Sequence, residues 1–174
     1  MTKHDLPFLP QFFDRYIEYA NDSTLLAQLE ESLKTLQDFE LAPLEQLGDY
    51  VYEQGKWTVR DIFQHIIDTE RIMAYRALRM ARHDKTDLPG FEENDFAQNT
   101  QANTRTLRDL RDEWMVVRHS SVLLFRSLDS DALLQVGTAS AQKITPLALG
   151  FVILGHPMHH FKVIQEKYTV GQLR

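Results

Sequence analysis

Gly155-His156-Pro157-Met158-His159-His160, near the C-terminal end of the chain, is the stretch on which the reading turns. Projected at about 100° per residue, Leu149, Val152, Ile153, Val163 and Ile164 form one apolar stripe, and His156 and His160 fall inside it. Two imidazoles stand where leucine is expected. Residues at i and i+4 leave a helix on the same side, so both rings can reach one ion. Pro157 removes the backbone bond to the Ile153 carbonyl and, beside Gly155, predicts a kinked axis; a complete break would separate the two histidines.

A third histidine strengthens the metal reading. His65 lies in Trp57-Thr58-Val59-Arg60-Asp61-Ile62-Phe63-Gln64-His65-Ile66-Ile67-Asp68, on the flank of a stripe formed by Ile62, Ile66, Thr69 and Met73. Three imidazoles facing the interior of a helical bundle are the ligand set of an open metal site, with a fourth position left for water or substrate. Asp68, about 60° around the helix from His65, is the candidate catalytic carboxylate, competing with a solvated pairing to Arg71. Glu70, about 140° from His65, has a surface reading that weighs against a place in the site. His119 projects away from its apolar stripe and is expected in solvent.

The chain around these histidines predicts four long amphipathic helices. Leu25, Leu26, Leu29, Leu33 and Leu36 recur at helical spacing, ahead of a loop from Ala42 to Lys56. Thr58 with Asp61 resembles a capping box opening a second helix to about Arg82, which carries His65. Residues 83–103 form a long crossover whose Glu92, Glu93 and Asp95 keep it soluble or reach over the site. The third helix runs from about Thr104 to Leu128, and Thr145-Pro146 starts the fourth. A short aromatic helix, Gln11–Ala20, precedes the four. Trp57 and Trp114 read as core, Phe91 and Phe96 as a lid or core filling, and Arg71, Arg76, Arg79 and Arg82 as a charged helix face. No strand signal or repeat is present, so residues 1–174 are expected to be one all-α domain, a four-helix bundle.

Composition narrows the function. Of 174 residues 43% are hydrophobic, enough for one full core, and the absence of cysteine excludes disulfides and thiolate chemistry. A net charge of −6 with scattered basic residues disfavours nucleic acid. Without a signal peptide or an apolar run of membrane-spanning length, the expected compartment is the cytoplasm. The aromatic N-terminal helix favours a homodimer.

Trp57-Thr58-Val59 with His65, Gly155-His156-Pro157-Met158-His159-His160, and Lys85-Thr86-Asp87-Leu88-Pro89-Gly90-Phe91 after the second helix resemble the DinB-like superfamily of helical-bundle metalloenzymes. The resemblance covers nearly the whole chain. It implies an up-down-down-up bundle with the crossover between helices two and three. It also implies a divalent metal, zinc or nickel, on His65, His156 and His160, with His159 outside the ligand set. Characterised members include thiol S-transferases, so the resemblance implies a small-molecule substrate, with a low-molecular-weight thiol as co-substrate, in thiol transfer or hydrolysis in a stress response. The competing expectation is a non-enzymatic metal-binding or oligomeric scaffold. The residue after His156 is Pro157, which excludes a His-Glu-x-x-His protease motif.

Overall fold

The computed structural model describes residues 1–168. In chain order it contains α1 (Asp14–Ile17), α2 (Leu25–Gln37), α3 (Ala42–Glu45), α4 (Val59–Ala81), α5 (Glu93–Gln98), α6 (Leu107–Arg126), α7 (Ser130–Leu133), β1 (Gly137–Ala139), β2 (Gln142–Ile144) and α8 (Pro146–Lys167). Two of the long helices, α4 and α8, start at the caps read from the sequence, while α2 is capped by Thr24, which that reading did not single out, and α6 by Thr106, two residues past its expected start. Thr58 and Thr106 each accept from the backbone three residues on, while Asp61 and Asp109 answer from the N3 position, closing a capping box at both sites. Thr145 accepts from Ala148 N with Pro146 in the first helical position.

Helix directions follow from which residues meet. On α4 and α6, Gln64 meets Arg105 and Arg71 meets Glu113, so residue numbers rise together and the two helices are parallel. His65 meets His156 and Tyr168 bonds the Trp57 carbonyl, so α8 is antiparallel to α4. Glu30 meets Arg126 while Ser32 meets Arg118, so α2 is antiparallel to α6. The bundle is therefore up-down-down-up, and the parallel α4 and α6 require the long crossover.

The core is divided. One apolar cluster joins Leu25 and Leu29 to Met73, Ala77 and Met80, Val122 and Phe125, and the stretch Leu147–Leu154. A second joins Leu36, Phe63, Ile66, Ile67, Leu110, Trp114 and Ile164. Between them lies a polar waist. There Glu70, only 2% exposed, meets Arg118, also 2% exposed, through Nε to Oε1 at 2.8 Å and Nη2 to Oε2 at 2.9 Å. Trp114 Nε1 donates to Glu70 Oε2 at 2.9 Å, and Arg118 Nη2 donates to the Ile153 carbonyl at 3.1 Å. That carbonyl is the one Pro157 leaves without its helical partner, so the guanidinium repairs the defect from the neighbouring helix. Helix α8 continues through Pro157, without the complete break that would have separated the two histidines. Glu70 is buried, contrary to its surface reading.

Three other expectations are corrected. Residues 137–144 form a β-hairpin, with Gly137 opposite Ile144 and Ala139 opposite Gln142, in a connection that carried no strand signal. The crossover joins it, since Leu88 N donates to Thr138 O and Ser140 N to Leu88 O, both at 3.0 Å. Three-residue strands are too short to show alternation. The loop read from Ala42 to Lys56 begins with the single turn α3. The aromatic N-terminal helix is α1 alone, and Phe13 and Ile17 are buried against this chain's own core.

Helix α8 is long and apolar enough by composition to cross a membrane, yet every residue from Pro146 to Pro157 is buried inside the bundle. A helix that is apolar on all sides suits a central position among other helices.

Candidate metal centre

His65 comes from the second turn of α4, and His156 and His160 from α8 on either side of Pro157. Because Pro157 leaves α8 intact, the i and i+4 rings stay stacked on one face. His156 Nε2 lies 3.0 Å from His65 Nε2 and 3.0 Å from His160 Nε2. The ligand atoms of all three are within 4.8 Å of one another. The sequence-predicted triad is thus brought together.

The donor chemistry fits a cation. A neutral imidazole has one N–H and one ring nitrogen lone pair, so three Nε2 atoms meeting at one point repel unless a proton or cation lies among them. Two imidazoles bound to one ion at about 2.0–2.1 Å have nitrogens about 3.0–3.4 Å apart, which matches the separation here. Burial pushes the His65 imidazole down to about 4 and the His160 imidazole down to about 3, and it holds His156 well below the usual histidine range. The like-signed neighbouring rings add to the effect on His156 and His160. All three are neutral at pH 7, the form that ligates. Among the described residues no carboxylate or carbonyl oxygen hydrogen-bonds any of these rings.

These depressed values set a pH dependence. The unfolded chain protonates its histidines near 6.5 while the folded chain resists until about 4 at His65 and about 3 at His160. The stability they contribute is therefore present above 6.5 and lost as pH falls through the folded-state values. Each contributes a slope of about 1.4 kcal/mol per pH unit below 6.5. Denaturant midpoints of the metal-free protein should fall between pH 7.5 and 5.5, a window above the ordinary carboxylate range. Equal midpoints across it would show that the rings are not buried as described.

The triad opens into a cavity of about 950 Å³. Its walls are aromatic near the histidines: the Trp57 ring centroid lies 4.7 Å from that of His65, and the Tyr16 centroid 5.3 Å from that of His156. Trp57 is thus a cavity wall, where the sequence reading placed it in the core. Trp114 is buried as expected. Phe91 lines the cavity, with Phe96 packed behind it at 4.9 Å between centroids. His159 lines it too, edge-on to Tyr16 at 5.6 Å between centroids, and His119 is exposed.

Asp68 is not brought to the triad. Its carboxylate accepts from Gln64 Nε2 at 2.9 Å and lies 3.8 Å from Arg71, on the flank of α4 that faces α6, and it does not line the cavity. Burial raises its pKa, against the hydrogen bond from Gln64. The offset of about 60° from His65 that suggested it runs opposite to the offset of Thr69, and the cavity lies on the Thr69 side. The carboxylates that do line the cavity are Glu92 and Glu93, and the charge of Glu93 acts on His65.

Arg76 was missed altogether. Read as part of a charged face, it is 2% exposed and lines the cavity. The signal was available, because eleven residues at about 100° bring Arg76 to within about 20° of His65 on the helical wheel. The hairpin turn reaches it from the other side. Ser140 and Ala141 hold φ of 51° and 60°, the left-handed pair of a two-residue type I′ loop, and both line the cavity.

Residues 24–164 match the DinB superfamily. The chain's fold is similar to that of YfiT from Bacillus subtilis, described as "a probable metal-dependent hydrolase with an unusual four-helix bundle topology", at 20% sequence identity and a TM-score of 0.60. That similarity covers 88% of this chain and 84% of YfiT. No functionally curated protein matches the chain. Since the matched span runs from the cap of α2 past His160 and takes in all three histidines, the chain belongs to the DinB superfamily.

Proposed function

We propose that the protein is a metal-dependent enzyme acting on a small molecule, with His65, His156 and His160 holding one divalent ion, zinc or nickel, and with thiol transfer or hydrolysis as the reaction. The convergence of three neutral Nε2 atoms at the end of a cavity carries this reading. YfiT, similar in fold, is described as a metal-dependent hydrolase, which supports it.

When bound, a divalent ion lowers the pKa of a water or thiol beside it toward 7. The chain's own residues do the rest. Trp57, Tyr16 and Val152 exclude solvent from the histidine end. Glu93, at the start of α5, lines the same cavity as the histidines, and we assign it the role of taking the proton released by the nucleophile. Glu93→Gln should lower kcat by about 10²-fold or more with metal content and melting temperature unchanged. An unaltered kcat would remove Glu93 from the proton path.

The deciding experiment is elemental analysis of untagged protein purified without added metal. We expect one divalent ion per chain in wild type and none in the His156→Ala, His160→Ala double variant. Metal-free wild type, even after incubation with zinc and nickel, would overturn the proposal and leave a helical scaffold. Retention of the ion by the double variant would overturn the ligand set.

A further inference from the structure

We propose that the cavity selects an elongated anionic substrate, whose carboxylate or other oxyanion group is held by Arg76 while its reactive end lies at the three histidines. The inference rests on the functional reading above for the histidine end of the cavity; the Arg76 end stands on its own observations.

Arg76 is a buried cation with no ion pair among the described residues, although the bundle pairs its other buried arginine, Arg118, with Glu70 in a fork. The partners of Arg76 are all neutral. Nη2 donates to the Pro89 carbonyl at 2.7 Å and to Ser140 Oγ at 3.0 Å, Nη1 lies 3.6 Å from Met73 Sδ, and the Phe91 ring centroid is 6.0 Å from Cζ. Nε–H and one N–H of Nη1 have no protein acceptor among the described residues. Burial alone lowers its pKa, with no carboxylate opposing. Burying an unpaired charge costs several kcal/mol, and two neutral acceptors on a loop can be held by an amide side chain at far lower cost. An anion entering the cavity supplies the missing counter-charge.

Glu92 and Glu93 line the same cavity but are exposed, and neither pairs with Arg76. Thr69 lies between the two ends on the same face of α4, and its buried hydroxyl has no hydrogen-bond partner among the described residues. The arrangement sets a length. Eleven residues at about 1.5 Å rise separate His65 from Arg76 by about 16 Å along α4. Side chains on α4 all tilt toward its N-terminus, His65 toward Trp57 and Arg76 toward Met73, so the axial spacing sets the scale of the gap between the two ends. A chain of about six carbons between the reactive atom and the anion, with a contact of about 2–3 Å at each end, reaches about 14 Å, close to that spacing.

Calorimetric titration with matched probes tests this. In metal-free protein, hexanoate should bind about tenfold or more tightly than 1-hexanol, since charge-assisted hydrogen bonds favour the anion. In zinc-loaded protein, 6-mercaptohexanoate should show the same preference over 6-mercaptohexanol. Arg76→Gln should abolish both preferences while keeping the affinity for the alcohols, and Arg76→Lys should retain part of them. Equal affinities in wild type, a preference that survives Arg76→Gln, or no hexanoate binding at about 10 mM would overturn the anion site. If Arg76→Gln does not fold, the wild-type comparison and the lysine variant decide. A preference found in protein that takes up no metal upholds the Arg76 site while rejecting the metal centre, and metal uptake without a preference does the reverse.

Discussion

Arg118→Ala should destabilise the protein by about 3–5 kcal/mol, the cost of leaving one member of a buried ion pair unmatched. In a chain of this length the melting temperature should fall by on the order of 10 °C. Removing the guanidinium leaves the Ile153 carbonyl without a donor and the buried Glu70 carboxylate without its counter-charge, held by the Trp114 indole alone, while Ser32 keeps its bond to the Leu29 carbonyl. Glu70→Ala should cost a similar amount, because Arg118 and the Trp114 indole N–H then lack their acceptor. Lysine at 118 cannot form the fork and reach Ile153 together, so Arg118→Lys should recover little. The link to Pro157 can be isolated by a double-mutant cycle. Pro157→Ala restores an N–H to the Ile153 carbonyl, so Arg118→Ala should cost less in that background than in wild type. Purely additive effects in the cycle, or a wild-type melting temperature in Arg118→Ala, would show that the waist does not hold the bundle as described.

Gly155→Ala should be as damaging, by a different route. A Cβ at this position would lie 1.8 Å from the backbone oxygen of Tyr16, and backbone at both sides leaves no flexible group to yield. Helix α1 therefore has to lift from α8, exposing Phe13 and Ile17, each worth about 1.5–3 kcal/mol when buried. The cavity loses a wall at the same time, since Phe12, Phe13 and Tyr16 all line it. Limited proteolysis within residues 9–22 and faster amide exchange there should report the undocking, with α4 and α6 still protected. A Gly155→Ala protein with wild-type stability and an intact N-terminal segment would contradict the close approach.

The sequence places Gly155 correctly as special but gives it the wrong reason. Next to Pro157 it reads as a helix weakness, whereas in the fold it is the point where α1 touches α8. The fact that decides between the two, the position of the Tyr16 carbonyl, is 139 residues away in the chain. Pro157 shows the same limit. Its missing N–H is a local certainty, and the carbonyl it leaves free is met by Arg118 on another helix, with α8 continuing past it. Arg118 lies four residues after Trp114, inside the apolar stripe of α6, and that periodicity is the only trace it leaves in the sequence.

What local chemistry sets, the sequence determined by itself: the four long helices with the capped starts at Thr58 and Thr145, the crossover between α4 and α6, and the inward face of His65, His156 and His160. Periodicity and capping act within a few residues, so one chain is enough to read them. Only the tertiary structure decided which polar side chains on those faces are buried and with what. It sent Asp68 to the α6 side, Glu70 to Arg118, Trp57 to the cavity wall and Arg76 to the cavity's far end. The wheel gives the direction in which a side chain leaves its helix. The partner it meets depends on how the helices pack, and buried charge is tolerated only where that partner, or a ligand, answers it.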